Sequence, residues 1–215
     1  MKGLLIKDLK LMANQRQFLL MLLVFTVLFM NTNVDFVIGY LTFVGSFFTL
    51  STISYDEYDN GYAFLFTLPV DRKRYVKEKY LLFMGLSIFT GILSFVLVYG
   101  YRSMVQGNGR SQDLLFTVGS VLLAVCFMMA LLLPLQLKFG SEKSRIALVM
   151  VVGGGTLIGY GIMKLLGYFS IDIEALFLQI AESPSLIPVV LAAVIGIVLF
   201  FSYKISVKIM EGKEF

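Results

Sequence analysis

A chain of 215 residues that is 58% apolar and only 15% charged, with a mean hydropathy of +0.86, departs from soluble domains, where roughly half the residues are apolar and about a quarter charged; it reads as an all-α integral membrane protein. Its formal net charge of +4 comes from cations at the ends of apolar runs, which is a topology signal rather than a nucleic-acid surface. With no histidine in the chain, an HExxH zinc site, a haem imidazole and histidine-based acid–base or nucleophile systems are excluded, and neither a catalytic residue nor a metal ligand is expected.

Residues 1–16 set Leu4, Leu5, Ile6, Leu9 and Leu11 against Lys2, Lys7, Asp8 and Lys10. The pattern predicts an amphipathic interfacial helix, apolar face in the acyl boundary and lysines toward anionic headgroups; a frayed tail carrying topogenic charge is the alternative. Six charge-free runs follow, at 17–34, 36–55, 80–101, 114–137, 146–163 and 183–203. Each can cross a hydrocarbon layer that needs about 20 helical residues, so six transmembrane helices are expected in a single domain, 1–215. The first is the weakest, because its apolar part gives way to Asn31, Thr32 and Asn33. It is not read as a signal peptide, since no small-residue cleavage site follows Met30.

Lysine and arginine divide unevenly between the two sides: 15 fall before the first run, in 56–79, in 138–145 and after Tyr203, and three (Arg102, Arg110, Lys164) fall on the other side. By the positive-inside rule both termini are cytoplasmic. Among the outer segments, Gly107, Asn108 and Gly109 signal a turn. In 168–181, Ile173, Leu176, Phe177 and Ile180 share one helical face, as a short outer-leaflet helix or an extension of the fifth span would. Pro134 marks a kink, and Pro184 and Pro188 a helix start. Gly155 and Gly159 form a small-xxx-small pair that predicts close helix contact, within the chain or between protomers, unless they reflect only the general frequency of glycine in transmembrane helices. Cys126, the single cysteine, has no intrachain disulfide partner and reads as packing.

Between the second and third runs, 56–79 is a charged, helix-like interruption. Tyr58, Tyr62 and Leu65 stand at i, i+4, i+7 with Phe64 and Leu68 beside them, and Pro69 ends the pattern. Arg72, Lys73, Arg74, Lys77 and Lys79 follow. A soluble partner could grip the apolar face, with ordinary interfacial packing as the other reading. No G-x-x-x-x-G-K-[ST] occurs, so ATP hydrolysis by that route is excluded and a separate ATPase is expected. The intramembrane polar groups are hydroxyls and amides such as Thr42, Ser46, Thr49, Ser87, Ser94 and Gln136, which supply no titratable relay for a proton-coupled pump. Phe43, Phe47, Thr49 and Tyr160 are candidate substrate-path residues.

The residues Glu57, Gly61, Leu65, Leu68-Pro69-Val70, Arg72 and Lys79-Tyr80 resemble the E…G…L…LPV.R……KY signature of ABC-2 type transporter permeases, and the expected topology extends the resemblance over the whole chain. The small permeases that export phenol-soluble modulins and other amphipathic or antimicrobial peptides are similar in size and loop pattern. The resemblance implies a multi-pass permease in a bacterial cytoplasmic membrane, paired with an identical or related permease. Two copies of an ABC ATPase would hold ATP and Mg, this chain holding no cofactor, and an amphipathic peptide would move outward. It further implies a coupling helix in 56–79 with Tyr58, Tyr62, Leu65 and Leu68 as ATPase contacts and Glu57 at the helix start. Gly61 and Pro69 belong to the same motif, and Arg72 would engage the ATPase or a lipid phosphate. An immunity or drug-resistance permease for antibiotics or lantibiotics, and a passive channel, are the rival functions.

Overall fold

Charge-free apolar segments can satisfy their backbone in hydrocarbon only as helices or closed barrels. The computed structural model, which describes residues 2–58, 61–106, 111–168 and 186–213, contains only helical elements among them. They are α1 (Lys2–Asn14), α2 (Arg16–Thr32), α3 (Val34–Glu57), α4 (Gly61–Leu65), α5 (Arg72–Tyr101) with a π-helical turn at Arg102–Gln106, α6 (Ser111–Tyr168) and α7 (Leu186–Glu211).

Among the described residues, four stretches are long and apolar enough to cross a membrane: Val34–Glu57, Arg72–Val105, Asp113–Ser144 and Ala192–Glu211. A fifth is added if Gly3–Asn14 and Arg16–Thr32, bent by 66° about Gln15, count as one broken span. The expected run 146–163 lies on the second arm of α6, where several side chains fall outside the described residues. The turn at Gly107–Gly109 and the segment 169–185, with the expected outer-leaflet helix and Pro184, also lie outside them. The two arms of α6, 111–139 and 141–168, meet at Gly140, whose φ of 78° and ψ of 175° interrupt the helix in a region nearly reserved for glycine.

α3 is the central helix, packed along α5 and the first arm of α6, with α7 closing the other side of α6. Small residues let α3 and α5 approach. A Cβ on Gly45 would strike the Thr90 side chain, and Ser46 and Ser87 share a hydrogen bond of 2.8 Å between their hydroxyls. One turn beyond Ser87 on α5, a Cβ on Gly91 would lie 3.3 Å from Leu122 of α6. Close contact is therefore made at these positions; a Cβ on Gly155 would meet nothing within 4 Å, and the surroundings of Gly159 lie outside the described residues. Without a hydrophobic driving force between helices in lipid, such contacts and the buried hydroxyls hold the bundle. Large apolar side chains such as Leu23 and Leu28 on α2, Phe89 and Val96 on α5 and Phe200 on α7 point outward, a surface that suits hydrocarbon.

Pro134 lacks the N–H that would bond the Ala130 carbonyl one turn earlier. Ser202 of α7 supplies the missing donor at 2.5 Å, and its hydroxyl also pairs with Tyr80 of α5 at 2.6 Å, so the Pro134 turn links three helices; the break in α6 itself lies at Gly140. At the opposite end, Arg102 pairs with Asp35 at 2.8 Å and Tyr101 donates to Asn31 at 3.1 Å, tying α5 to the α2–α3 turn.

Candidate functional site

The loop joining α3 and α5 begins with a close backbone approach. A Cβ on Gly61 would sit 2.7 Å from the carbonyl oxygen of Asp56, so only glycine lets α4 fold back on the end of α3. α4 then has two apolar faces. Tyr62 and Leu65 are buried in the core cluster with Tyr75, Val76, Leu137 and Met210, the Tyr62 and Tyr75 rings meeting edge-on at 5.9 Å. Burial pushes the Tyr62 hydroxyl well above its usual range, which keeps it neutral. Tyr58, Phe64 and Leu68 point outward, at 73%, 71% and 47% exposure, and Pro69 is exposed beside them. The i, i+4, i+7 stripe expected as one contact face is thus split: its centre anchors the loop to the bundle, and the outward surface is built around Phe64.

Two charged residues of the same motif are occupied within the chain. The Arg72 guanidinium donates to the carbonyls of Glu211 at 2.6 Å and Met210 at 3.3 Å and lies 5.8 Å from the Phe66 ring centroid. It therefore caps the C-terminus of α7, where a cation suits the helix dipole, rather than standing free for a partner or a lipid phosphate. Lys73 reaches the Glu211 carboxylate at 3.2 Å. Glu57, expected at the start of the coupling helix, accepts the Ser141 N–H at 2.8 Å and so caps the second arm of α6 at the Gly140 break. From the other direction Lys213 donates to the Leu137 carbonyl at 3.3 Å and its ammonium lies 5.0 Å from the Tyr62 ring centroid. The loop around α4 is consequently tied to the break in α6 and the C-terminal end of α7 through Glu57, Arg72 and Lys213, while Tyr62 and Leu65 seat α4 in the core.

Behind this loop lies a buried cluster of charges. Lys79 of α5, Glu78 beside it and Asp8 of α1 are fully buried, and Asp56 of α3 nearly so. The Lys79 ammonium contacts Asp8 at 2.5 Å, Asp56 at 2.8 Å and the Thr52 hydroxyl at 3.1 Å. Lys7 bridges Asp56 and Asp8, Tyr75 donates to Asp56 at 3.0 Å, and Glu78 lies 3.8 Å from Lys79. α1 is therefore not an interfacial helix with all its lysines toward headgroups: Leu4 is in the core cluster and Asp8 is locked between α3 and α5, while Ile6, Leu9 and Lys10 remain exposed. Asp8 and Lys79 fall outside the charge-free runs, which is why a reading confined to those runs sees no buried charge.

Farther along the bundle, a cavity of about 640 Å³ opens between α2, α3 and both arms of α6. Phe18, Phe43, Phe47 and Phe48 form part of its wall, and Gln15, Ser51, Ser54, Gln136, Ser141 and Ser144 supply its polar part, with no charged side chain. Phe43 and Phe47 stack at 4.3 Å. Of the other expected path residues, Thr49 is buried elsewhere on α3, its hydroxyl without a hydrogen-bond partner among the described residues. Tyr160 stands exposed on the second arm of α6; neither lines this cavity.

A family model described as ABC-2 family transporter protein matches residues 3–211. The chain belongs to the ABC-2 family. No curated protein and no solved structure matches it. As an ABC-2 permease it is the membrane-spanning subunit of an ABC transporter, a class that works with an ABC ATPase subunit and often a second permease. The permease motif is brought together at one end of the bundle. Glu57, Gly61, Tyr62, Leu65 and Arg72 converge there as structural ties, and Tyr58, Leu68 and Pro69 face outward. Phe64 is the exposed centre that periodicity alone assigned to the flank.

Proposed function

We propose that this permease pairs with an identical or related chain and that each copy seats the outward face of α4, centred on Phe64 and flanked by Tyr58 and Leu68, on one of two ABC ATPase subunits that hold ATP and Mg. The pair moves amphipathic cargo outward across a bacterial cytoplasmic membrane, with six spans per chain, both termini in the cytoplasm and Gly155 and Gly159 at close contacts between protomers. The observation that carries this reading is the division of α4 into a buried anchor and an exposed aromatic surface, flanked by Glu57 and Arg72, which bond the break in α6 and the C-terminal end of α7. Partner binding can shift a conformational balance only by contacting two states unequally, and the residues on either side of α4, Glu57 and Arg72, bond the helices that would have to move.

The test is Phe64→Asp against Leu65→Asp in a reconstituted permease–ATPase complex. Loss of a central aromatic anchor costs upward of about 2 kcal/mol, or roughly thirtyfold in affinity. Phe64→Asp is expected to insert and fold normally yet to lose the ATPase and ATP-driven transport, whereas Leu65→Asp buries a charge and loses the fold. Undiminished transport by a folded Phe64→Asp complex would reject the assignment, and transport without any ATPase would make the protein a passive channel.

For the cargo, the aromatic and uncharged polar walls of the cavity support an amphipathic molecule such as a toxin or antimicrobial peptide. One observation favours a second reading. About 640 Å³ is the volume of a small-ligand site and holds only part of a peptide helix about 10 Å across, so a hydrophobic antibiotic or lantibiotic segment fits it better. Competition between a linear amphipathic peptide and such an antibiotic for ATPase stimulation separates the two.

A further inference from the structure

A second groove, of about 480 Å³, lies between α6 and α7. Its wall runs from Ala130 to Phe139 on α6 and from Val198 to Ile209 on α7. At a rise of about 1.5 Å per residue this makes it roughly 14–17 Å long, about half of a hydrocarbon layer roughly 30 Å thick. The two helices run in the same direction there, because Ser202 bonds the Ala130 carbonyl and Lys213 the Leu137 carbonyl. Lys138 and Ile209 therefore stand at the same mouth.

The groove is apolar but for two side chains. Ser202 is committed to Ala130. Lys138 is exposed, its ammonium 5.1 Å from the Phe139 ring centroid, and it makes no ion pair among the described residues. No carboxylate lines the wall, and Lys208, also exposed, lies one turn beyond Ile205 on α7. A leaflet-long apolar slot with an unpaired cation at its headgroup end has the shape and charge complement of a single anionic phospholipid.

We propose that this groove is a binding site for an anionic phospholipid of the leaflet on the side of the chain termini, its acyl part along Pro134, Phe201 and Ile205 and its phosphate at Lys138. A zwitterionic lipid would bring a second cation to the same mouth and bind less well. The site is separate from the α4 surface and from the larger cavity, and requires no particular cargo or ATPase.

Native mass spectrometry of the full-length chain, released from detergent with phosphatidylglycerol or with phosphatidylcholine of the same acyl chains, tests the proposal. Phosphatidylglycerol is expected to be retained in preference. Lys138→Gln lowers that retention about fivefold, the effect of one lysine near a phosphate. Ile205→Trp, which fills the groove from its open side, abolishes it. Lys204→Gln serves as the control, since that ammonium lies over Phe200, 5.3 Å from its ring centroid and off the groove wall; it leaves retention unchanged. Equal retention of the two lipids, undiminished retention in either Lys138→Gln or Ile205→Trp, or an equal loss in Lys204→Gln overturns the proposal.

Discussion

Single residues decide how the α4 end of the bundle is held, and Gly140 is the clearest case. Its backbone lies in a region that costs other residues of order 1–3 kcal/mol, and a Cβ there would also strike the Glu57 carboxylate. Gly140→Ala is therefore expected to lower the thermal unfolding midpoint of the detergent-solubilised chain. Glu57→Ala added to it relieves the collision but also removes the Ser141 cap and leaves the backbone cost, so the double variant loses less than the two single losses combined; no loss in Gly140→Ala would mean that the two arms of α6 do not turn there. A sequence pattern carries little warning of this. Phe139-Gly140-Ser141 reads as part of the cationic connection 138–145 between two apolar runs, and the group that a side chain at 140 would strike comes from 83 positions earlier. Arg72 is similar: five clustered cations read as a topogenic charge, yet one of them is claimed by carbonyls at the far end of the chain.

At the scale of elements, hydrophobic runs identified α3, α5, the first arm of α6 and α7, because helix is the simplest backbone solution in hydrocarbon. The orientation of α4 was not legible in the same way. Both Tyr62–Leu65 and Phe64–Leu68 are apolar faces of one short turn, and which faces inward is set by Tyr75, Leu137 and Met210 on three other helices, not by spacing. α1 shows the same difficulty with charge. An amphipathic helix ordinarily turns its charges to water, but Asp8 finds Lys79 and Lys7 in the bundle. Removing one partner of a buried pair strands the other at a cost of about 3–5 kcal/mol. Lys79→Met is expected to release α1, seen as new proteolytic cleavage within 2–14 and a lower unfolding midpoint, and Lys79→Met with Asp8→Asn to restore part of the stability. If the single variant keeps α1 protected, the cluster does not hold that helix in place.

Over the whole molecule, the ties at α4 matter to transport only if that end meets the ATPase, so orientation is the property on which the assembled reading rests. α5 has 30 residues and so extends about 45 Å, more than the roughly 30 Å of hydrocarbon. Phe64 precedes its start and Met104 follows its end, and they are 71% and 88% exposed, which places two accessible reporters on opposite sides of one membrane helix. Cys126, the only thiol in the chain, is half-buried against the core cluster and is removed first as Cys126→Ser. In that background, a membrane-impermeant maleimide added to intact cells is expected to label Met104→Cys and to spare Phe64→Cys, which reacts only once the membrane is opened. Labelling of Phe64→Cys from outside would put the exposed face of α4 beyond the reach of a cytoplasmic nucleotide-binding subunit. The bonds from Glu57 and Arg72 to α6 and α7 would then brace an outer end of the bundle, and energy from ATP would have to arrive through the turns at Asp35 and Arg102, where Met104 and Val105 are exposed apolar side chains.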